Sequence, residues 1–305
     1  MAKVIVAGLI NIETSVKIEG FPLNYGPVHY PFNGIKSTVS GCGYNITKAL
    51  TTLGNKVKLL SVVGQDLAAT QVRIALEQAH ISSGHVIDGV AETPQSVILY
   101  DENGKRQIHC DLKTSQDWSY PVELIYDLIP MCDYAVVGNN NYLRGLLPLL
   151  KEKNKTIITD VHTLSDIHDD YNRDFLEHAD VVFLSHECVP GNREDFVHAL
   201  AQAHDIDIVV MGMGSEGAMV RNSKNGKITY IEARAIRDVV SSVGAGDALL
   251  SGFVHALGAG DSVDIAIKKA TLFAGYKVGD ANADEGFLNQ SSLEMYYNTF
   301  FSDAS

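Results

Sequence analysis

The sequence predicts an α/β fold: a doubly wound, mostly parallel sheet with helices on both faces and a small β lid. Three observations predict it. Short Val- and Ile-rich runs alternate with helix-length amphipathic stretches along most of the chain, the pattern of βα units feeding a parallel sheet. Two stretches in the first third break that rhythm with closely spaced strand and turn signals. The length, 305 residues, exceeds the roughly 100–200 residues of an ordinary domain, which leaves room for one large unit and a smaller appendage.

Strands are expected at 3–8, 57–63, 134–138, 156–160, 180–184 and 206–211, each a β-branched run too short for a helix. Between them, helical patterns at 43–53, 66–79, 142–152, 172–178 and 191–203 supply the crossovers, and the C-terminal third turns helical at 245–257, 262–278 and 291–300. The first interruption, 15–40, holds Val16 to Ile18, His29 to Phe32, an Asn33-Gly34 turn and Ile35 to Val39. The second, 95–110, sets Ser96 to Tyr100 and Arg106 to Cys110 on either side of Asp101-Glu102-Asn103-Gly104. Both read as strands joined by tight turns, antiparallel in character. Residues 1–14, 41–94 and 111–305 therefore form the large unit, and 15–40 with 95–110 form a lid suited to covering a ligand. The strand edges of the lid also offer a place for a second copy, a homodimer through the lid.

Composition narrows the partners. Lys and Arg number 24 against 37 Asp and Glu, a formal charge of −13, which repels nucleic acid and acidic membrane surfaces at long range. The mean hydropathy of +0.02 describes a chain that folds in water, and no run approaches the roughly 18 uncharged apolar residues of a membrane span. Cys42, Cys110, Cys132 and Cys188 form no C-x-x-C pair, which fits a reducing cytoplasm and offers no zinc site. His162 with His168, or His178 with His186, read as surface residues rather than metal pairs. There is no G-x-S-x-G elbow and no G-x-x-x-x-G-K-[ST] phosphate loop.

Four segments carry chemistry. In Val239 to Phe253, the small residues Gly244, Ala245 and Gly246 open a helix, so their N–H groups form an anion hole with the positive end of the helix dipole behind them. Asp247, in the first turn, is placed to accept a proton from an attacking hydroxyl, although a capping Ser241 or Ser242 with Asp247 complementing the dipole explains the same spacing. Gly212, Gly214 and Gly217 match G-x-G-x-x-G, but a hairpin follows instead of the helix a dinucleotide site requires. That leaves a loop at the carboxyl end of a parallel strand, the usual ligand crevice. Gly41 and Gly43 permit close backbone approach, and Asn45 both donates and accepts, which suits a polyhydroxylated ligand. Asn11 and Glu13 fall on one side of an extended chain.

In this order, these segments resemble the PfkB, or ribokinase-like, family of carbohydrate and nucleoside kinases over nearly the whole chain. Gly41, Gly43, Asn45 and Leu53-Gly54 are similar to its first signature, Val63 to Asp66 to its Gly-x-Asp element, and Gly244 to Asp247 to its second signature. The resemblance implies a ribokinase-like fold with a β lid and transfer of the terminal phosphoryl of ATP to a sugar hydroxymethyl. Asp247 would be the base, and Gly244, Ala245 and Gly246 would stabilise charge on the moving phosphoryl. Gly212, Gly214, Gly217 and Ser242 would border the nucleotide, while Asn11, Glu13, Gly41, Gly43 and Asn45 would hold the sugar. Magnesium would bridge the phosphates.

The chain departs from the family pattern at three points. Ser241-Ser242 stands where Asp-Thr is usual, Glu13 stands for Asp, and His186 and Val189 occupy the two positions of an Asn-x-x-Glu metal element. Glu187 and Asp160, hard oxygen ligands at strand ends, are the expected substitutes for magnesium. Two alternatives stay open: a nucleoside kinase, with Tyr25, Tyr30, Phe32 and Tyr44 placed to stack on a base, and a sensor that binds nucleotide or sugar without turnover.

Overall fold

The computed structural model describes residues 1–102 and 105–301; the expected Asn103-Gly104 turn lies outside the described residues. The chain runs β1 (Lys3–Ala7), β2 (Asn11–Lys17), β3 (Ile35–Ser40), α1 (Cys42–Thr52), β4 (Lys56–Val63), α2 (Leu67–Gln78), β5 (Val86–Asp88), β6 (Gln95–Tyr100) and β7 (Arg106–Asp111). Three short 3₁₀ turns follow, at Lys113–Asp117, Val122–Ile125 and Ile129–Met131. Then come β8 (Tyr134–Val137), α3 (Leu146–Glu152), β9 (Thr156–Thr163), α4 (Arg173–His178), β10 (Val181–Ser185), α5 (Arg193–His204) and β11 (Ile208–Gly212). The hairpin β12 (Ala218–Asn222) and β13 (Lys227–Ile231) precedes α6 (Ala245–Gly258), α7 (Val263–Lys277) and α8 (Gln290–Phe301).

The large sheet has the order β13-β12-β11-β10-β9-β8-β1-β4-β5. From β11 to β5 every neighbour is parallel, and β12 and β13 add an antiparallel edge. The two-residue period of a strand decides the layers. Val4 and Val6 of β1 join a core with Leu50 of α1, Val72 of α2, Phe253 of α6 and Ile267 of α7. Ile5 and Ala7 face the other way, against Leu147 of α3 and Phe175 of α4. Strands buried on both faces read as unbroken apolar runs, which is why the βα succession was visible in the sequence.

A separate four-stranded sheet has the order β3-β2-β6-β7. The two interruptions join in this one small sheet, each with the expected antiparallel pair, β2–β3 and β6–β7, but the junction between them, β2 with β6, is parallel. His29 to Phe32 forms no strand, because Pro22, Pro27 and Pro31 lack the N–H a ladder needs. The expected helix at 142–152 is split by Gly145 into a 3₁₀ turn, Asn141–Leu143, and α3.

Candidate active site

The carboxyl ends of the parallel strands gather the site. After β1 the chain passes Gly8, and α1 starts against it: a Cβ added at Gly43 would lie 2.5 Å from the Gly8 carbonyl carbon. The Gly43 N–H donates to Leu9 O at 3.0 Å. The glycine at 43 is thus required by helix-on-strand packing, with Gly41 as the preceding N-cap residue. The close approach fixes Asn45, whose Nδ2 donates to Asp247 Oδ2 at 2.8 Å. Asn45 also lies 3.4 Å from Ser40 Oγ, and Ser40 Oγ donates to Glu13 Oε2 at 3.3 Å. Glu13 of β2, Ser40 of β3, Asn45 of α1 and Asp247 of α6 form one polar chain from lid to helix.

Gly244 caps α6 in the left-handed region at φ 78°, and a Cβ there would come 2.6 Å from Ala283 O. The three amides expected to form an anion hole do not all point outward: Ala245 N–H bonds Ser242 O at 3.2 Å inside the turn. At Gly246, by contrast, an added Cβ meets nothing within 4 Å. Open space therefore faces the first turn of α6 beside the buried carboxylate of Asp247.

Burial sets the electrostatics. It pushes Asp247 up to about 6, opposed by the Asn45 hydrogen bond, while Asp160 raises it further and His162 and the Cys42 thiol lower it. Glu13 is pushed up to about 7, again by burial first, with Ser40 lowering it and Asp247 and Asp284 raising it. Lys277, fully buried, is pushed down to about 8 despite the carboxylates of Asp280, Asp247 and Asp284. Its Nζ donates to Asp280 O at 3.4 Å.

Of the residues expected to hold the sugar, Asn11 donates through Nδ2 to Ser96 Oγ at 2.9 Å, but its Oδ1 is buried without a partner among the described residues. An unmatched buried acceptor costs about 1–3 kcal/mol, and a sugar hydroxyl would satisfy it. Of the residues expected to border the nucleotide, Gly212 ends β11, and a Cβ added there would lie 3.7 Å from Leu249 of α6. The loop through Gly214 to Gly217 is held by Met213 N–H on Gly217 O at 2.8 Å and by Arg193 on Glu216 at 2.8 and 3.0 Å. A cavity of about 530 Å³ bounded by Arg193, Met213, Glu216 and Tyr230 opens beside it. Another, of about 520 Å³ and lined by Gln65, Thr114, Asp117 and Trp118, shares no residue with the Asp247 cluster.

Of the two expected magnesium ligands, Asp160 acts on Asp247 and so belongs to the cluster. Glu187 sits exposed on the turn after β10, and no described contact joins it to Asp160. Among the described residues no group of three His, Cys, Asp or Glu is arranged to hold a metal alone. A magnesium ion carried mainly by phosphate oxygens, with one carboxylate, fits this donor set. Sequence reasoning missed Ser40, Cys42, Lys277 and Asp284. Ser40 and Cys42 flank Gly41 and were within reach of it; nothing marked Lys277 or Asp284.

A buried carboxylate beside open space at a helix start, tied by hydrogen bonds to side chains of the small sheet, is chemically compatible with phosphoryl transfer to an alcohol acceptor. Residues 1–289 match the pfkB family carbohydrate kinases. The acarbose 7(IV)-phosphotransferase of Actinoplanes sp. is 22% identical over 291 residues, covering 95% of this chain and 96% of the relative. A microbiome-derived acarbose kinase superposes with a TM-score of 0.85 at 24% identity, over 96% of this chain and 98% of that one. The ribokinase of Thermotoga maritima gives 0.79 at 16% identity, over 98% and 100%. The chain belongs to the pfkB family of carbohydrate kinases and has the ribokinase-like fold. The family implies ATP as phosphoryl donor and a small-molecule acceptor, and no described helix is long and apolar enough to cross a membrane.

Proposed function

We propose that this kinase transfers the γ-phosphoryl of ATP to a hydroxymethyl of a sugar, with Asp247 as general base. The observation that carries the reading is the 2.8 Å hydrogen bond from Asn45 to Asp247. It ties Asp247 at the start of α6 to Asn45 of the sugar signature, which brings the base and the acceptor side together. Asn11, Glu13 and Asn45 hold the sugar, Gly41 and Gly43 shape the backbone beneath it, and Gly212, Gly214, Gly217 and Ser242 border the nucleotide. Gly244 and Gly246 face the phosphoryl group with the helix dipole, and Ala245 keeps their turn closed. Magnesium, when bound, would neutralise the phosphates, with Asp160 or Glu187 the carboxylate that would hold it. The lid excludes water that would otherwise hydrolyse ATP.

The relatives named for acarbose support a glycosidic acceptor over a nucleoside. The working compartment is proposed as the cytoplasm, where four free cysteines are stable, and the working form as a dimer through the lid. A panel of sugars, oligosaccharides and nucleosides with ATP and magnesium, read by ADP release, names the acceptor. In the same assay D247A should lose about 10²- to 10⁴-fold in kcat while still binding ATP. Full activity of that variant refutes the assigned role. Ligand-induced stabilisation without ADP release from the parent chain indicates a sensor instead.

A further inference from the structure

The chain has a single tryptophan, and it stands on the cavity of about 520 Å³ that shares no residue with the Asp247 cluster. Its neighbours fix it there. A Cβ at Gly89 would lie 2.5 Å from the Trp118 ring, so a bare backbone is what lets the indole settle against that loop. Tyr120 meets the ring edge-on at 6.0 Å, and Tyr142 lies tilted against it at 6.1 Å. Around the indole stand Gln65, Thr114 and Asp117. Neither these three side chains nor the indole N–H makes a hydrogen bond or ion pair among the described residues. Amide, hydroxyl, carboxylate and ring N–H thus converge on one hollow with their bonding capacity unused.

That lining selects a ligand. It holds one carboxylate and no Lys, Arg or His, so an anion is repelled and a phosphate finds no partner. A lone carboxylate does not make a divalent-cation site. A purely apolar ligand would strand the polar groups away from water. A neutral, hydroxylated ligand suits all of them: an aromatic ring covers the C–H face of a sugar ring, while amide, hydroxyl and carboxylate take the hydroxyls at its rim. The volume lies within the roughly 300–1,000 Å³ of small-molecule sites.

The cavity is also close to the side chains proposed to hold the reacting sugar. Ile12, next to Asn11 in β2, donates its N–H to Pro94 O at 3.1 Å, and Gln65 N–H donates to Ala91 O, on the cavity rim, at 3.2 Å. The three residues from Pro94 back to Ala91 span at most about 11 Å of chain. Thr93 pins that link, donating from its backbone N and its Oγ1 to Asp66 at 2.8 and 2.7 Å and accepting the Gly64 N–H at 3.0 Å. A short oligosaccharide bridges such a distance. We propose that the Trp118 cavity is a second carbohydrate subsite, holding a non-reacting unit of an oligosaccharide whose reacting unit lies at Asn11 and Asp247. The inference rests on the kinase reading and names its acceptor class, a glycosidically linked chain rather than a free monosaccharide. A remote unit held equally in ground and transition states lowers KM for the longer acceptor and leaves the chemical step at Asp247 unaltered.

Glucose and the maltose and cellobiose series of two to four units serve as acceptors with ATP and magnesium, read by ADP release. Without ATP they serve as titrants, read by the fluorescence of the lone tryptophan. In the parent chain, KM should fall about 10-fold or more from glucose to the best oligosaccharide, and that oligosaccharide should shift the fluorescence saturably. W118A should raise the oligosaccharide KM about 10- to 100-fold, with kcat and the glucose KM little changed. Because W118A also removes packing against Tyr142, Q65A/D117A, which alters only exposed side chains, is measured beside it. It should raise the same KM and weaken the fluorescence titration while the glucose KM stays. A parent KM independent of acceptor length, or a Q65A/D117A protein matching the parent on every oligosaccharide, overturns the subsite and leaves the kinase standing. So does a parent that phosphorylates a monosaccharide or nucleoside of the wider panel but none of these chains. A parent that phosphorylates nothing overturns both.

Discussion

Asp247 must be ionised to take a proton, yet its burial favours the neutral form. Burial raises its pKa to about 6, and the Asn45 hydrogen bond to the charged form holds it from rising further. Below that range the base is protonated and turnover falls; above it the base is available, so kcat/KM rises with pH through about 6. Because Glu13, raised to about 7, shares the same polar chain, the observed limb belongs to the pair rather than to either residue. In N45A the donor is gone, the carboxylate loses its main stabilising partner, and the acid limb should move to higher pH with a lower plateau. A pH–rate profile of the two proteins checks this; an unmoved limb would show that Asn45 does not govern the base.

At the scale of elements, the contact between α1 and the end of β1 does most of the positioning. A Cβ at residue 43 would meet Gly8 backbone at 2.5 to 2.8 Å, and backbone cannot rotate away as a side chain can. G43A should therefore cost about 1–3 kcal/mol of stability through overpacking, read as a lower urea midpoint with unchanged slope. By displacing Asn45 it should also lower kcat; parent-like stability and rate would refute the tie. The same elements show what was legible beforehand. β1, β4, β8 and β11 lie within two residues or so of the expected runs because their apolar patterns are local. That the two interruptions share one small sheet was legible from where they break the βα succession; the parallel β2–β6 register was not, since it joins segments some eighty residues apart, Ile12 to Gln95, with no turn to announce it. Glycines 41 and 43, Asn45 and Asp247 were visible as short motifs, whereas the bond between Asn45 and Asp247 spans 202 residues. Lys277 reads in sequence as one more lysine on an amphipathic helix; only the packing of α7 seals it beside the cluster.

For the whole molecule, the four-stranded sheet leaves β3 and β7 as edges unpaired among the described residues, and the segment before β3 exposes Leu23, Tyr25, Val28, Tyr30 and Phe32. Tyr30 and Phe32 stack on each other at 6.2 Å yet remain 74% and 87% exposed, so their mutual contact hides little apolar surface. Exposed apolar side chains gathered on one segment suit an interaction surface, and in the proposed dimer a second copy brings the same segment and the same open edges. A charge of −13 per chain opposes that association, so screening should strengthen it. Sedimentation equilibrium should then show a dimer that tightens as salt rises, and the double variant Y30S/F32S should shift it to monomer without changing sugar KM. A parent that remains monomeric at every salt concentration rules the dimer out. If instead the double variant raises sugar KM while the parent's mass is unaffected, these rings line the acceptor site, and the lid serves the sugar rather than a second copy.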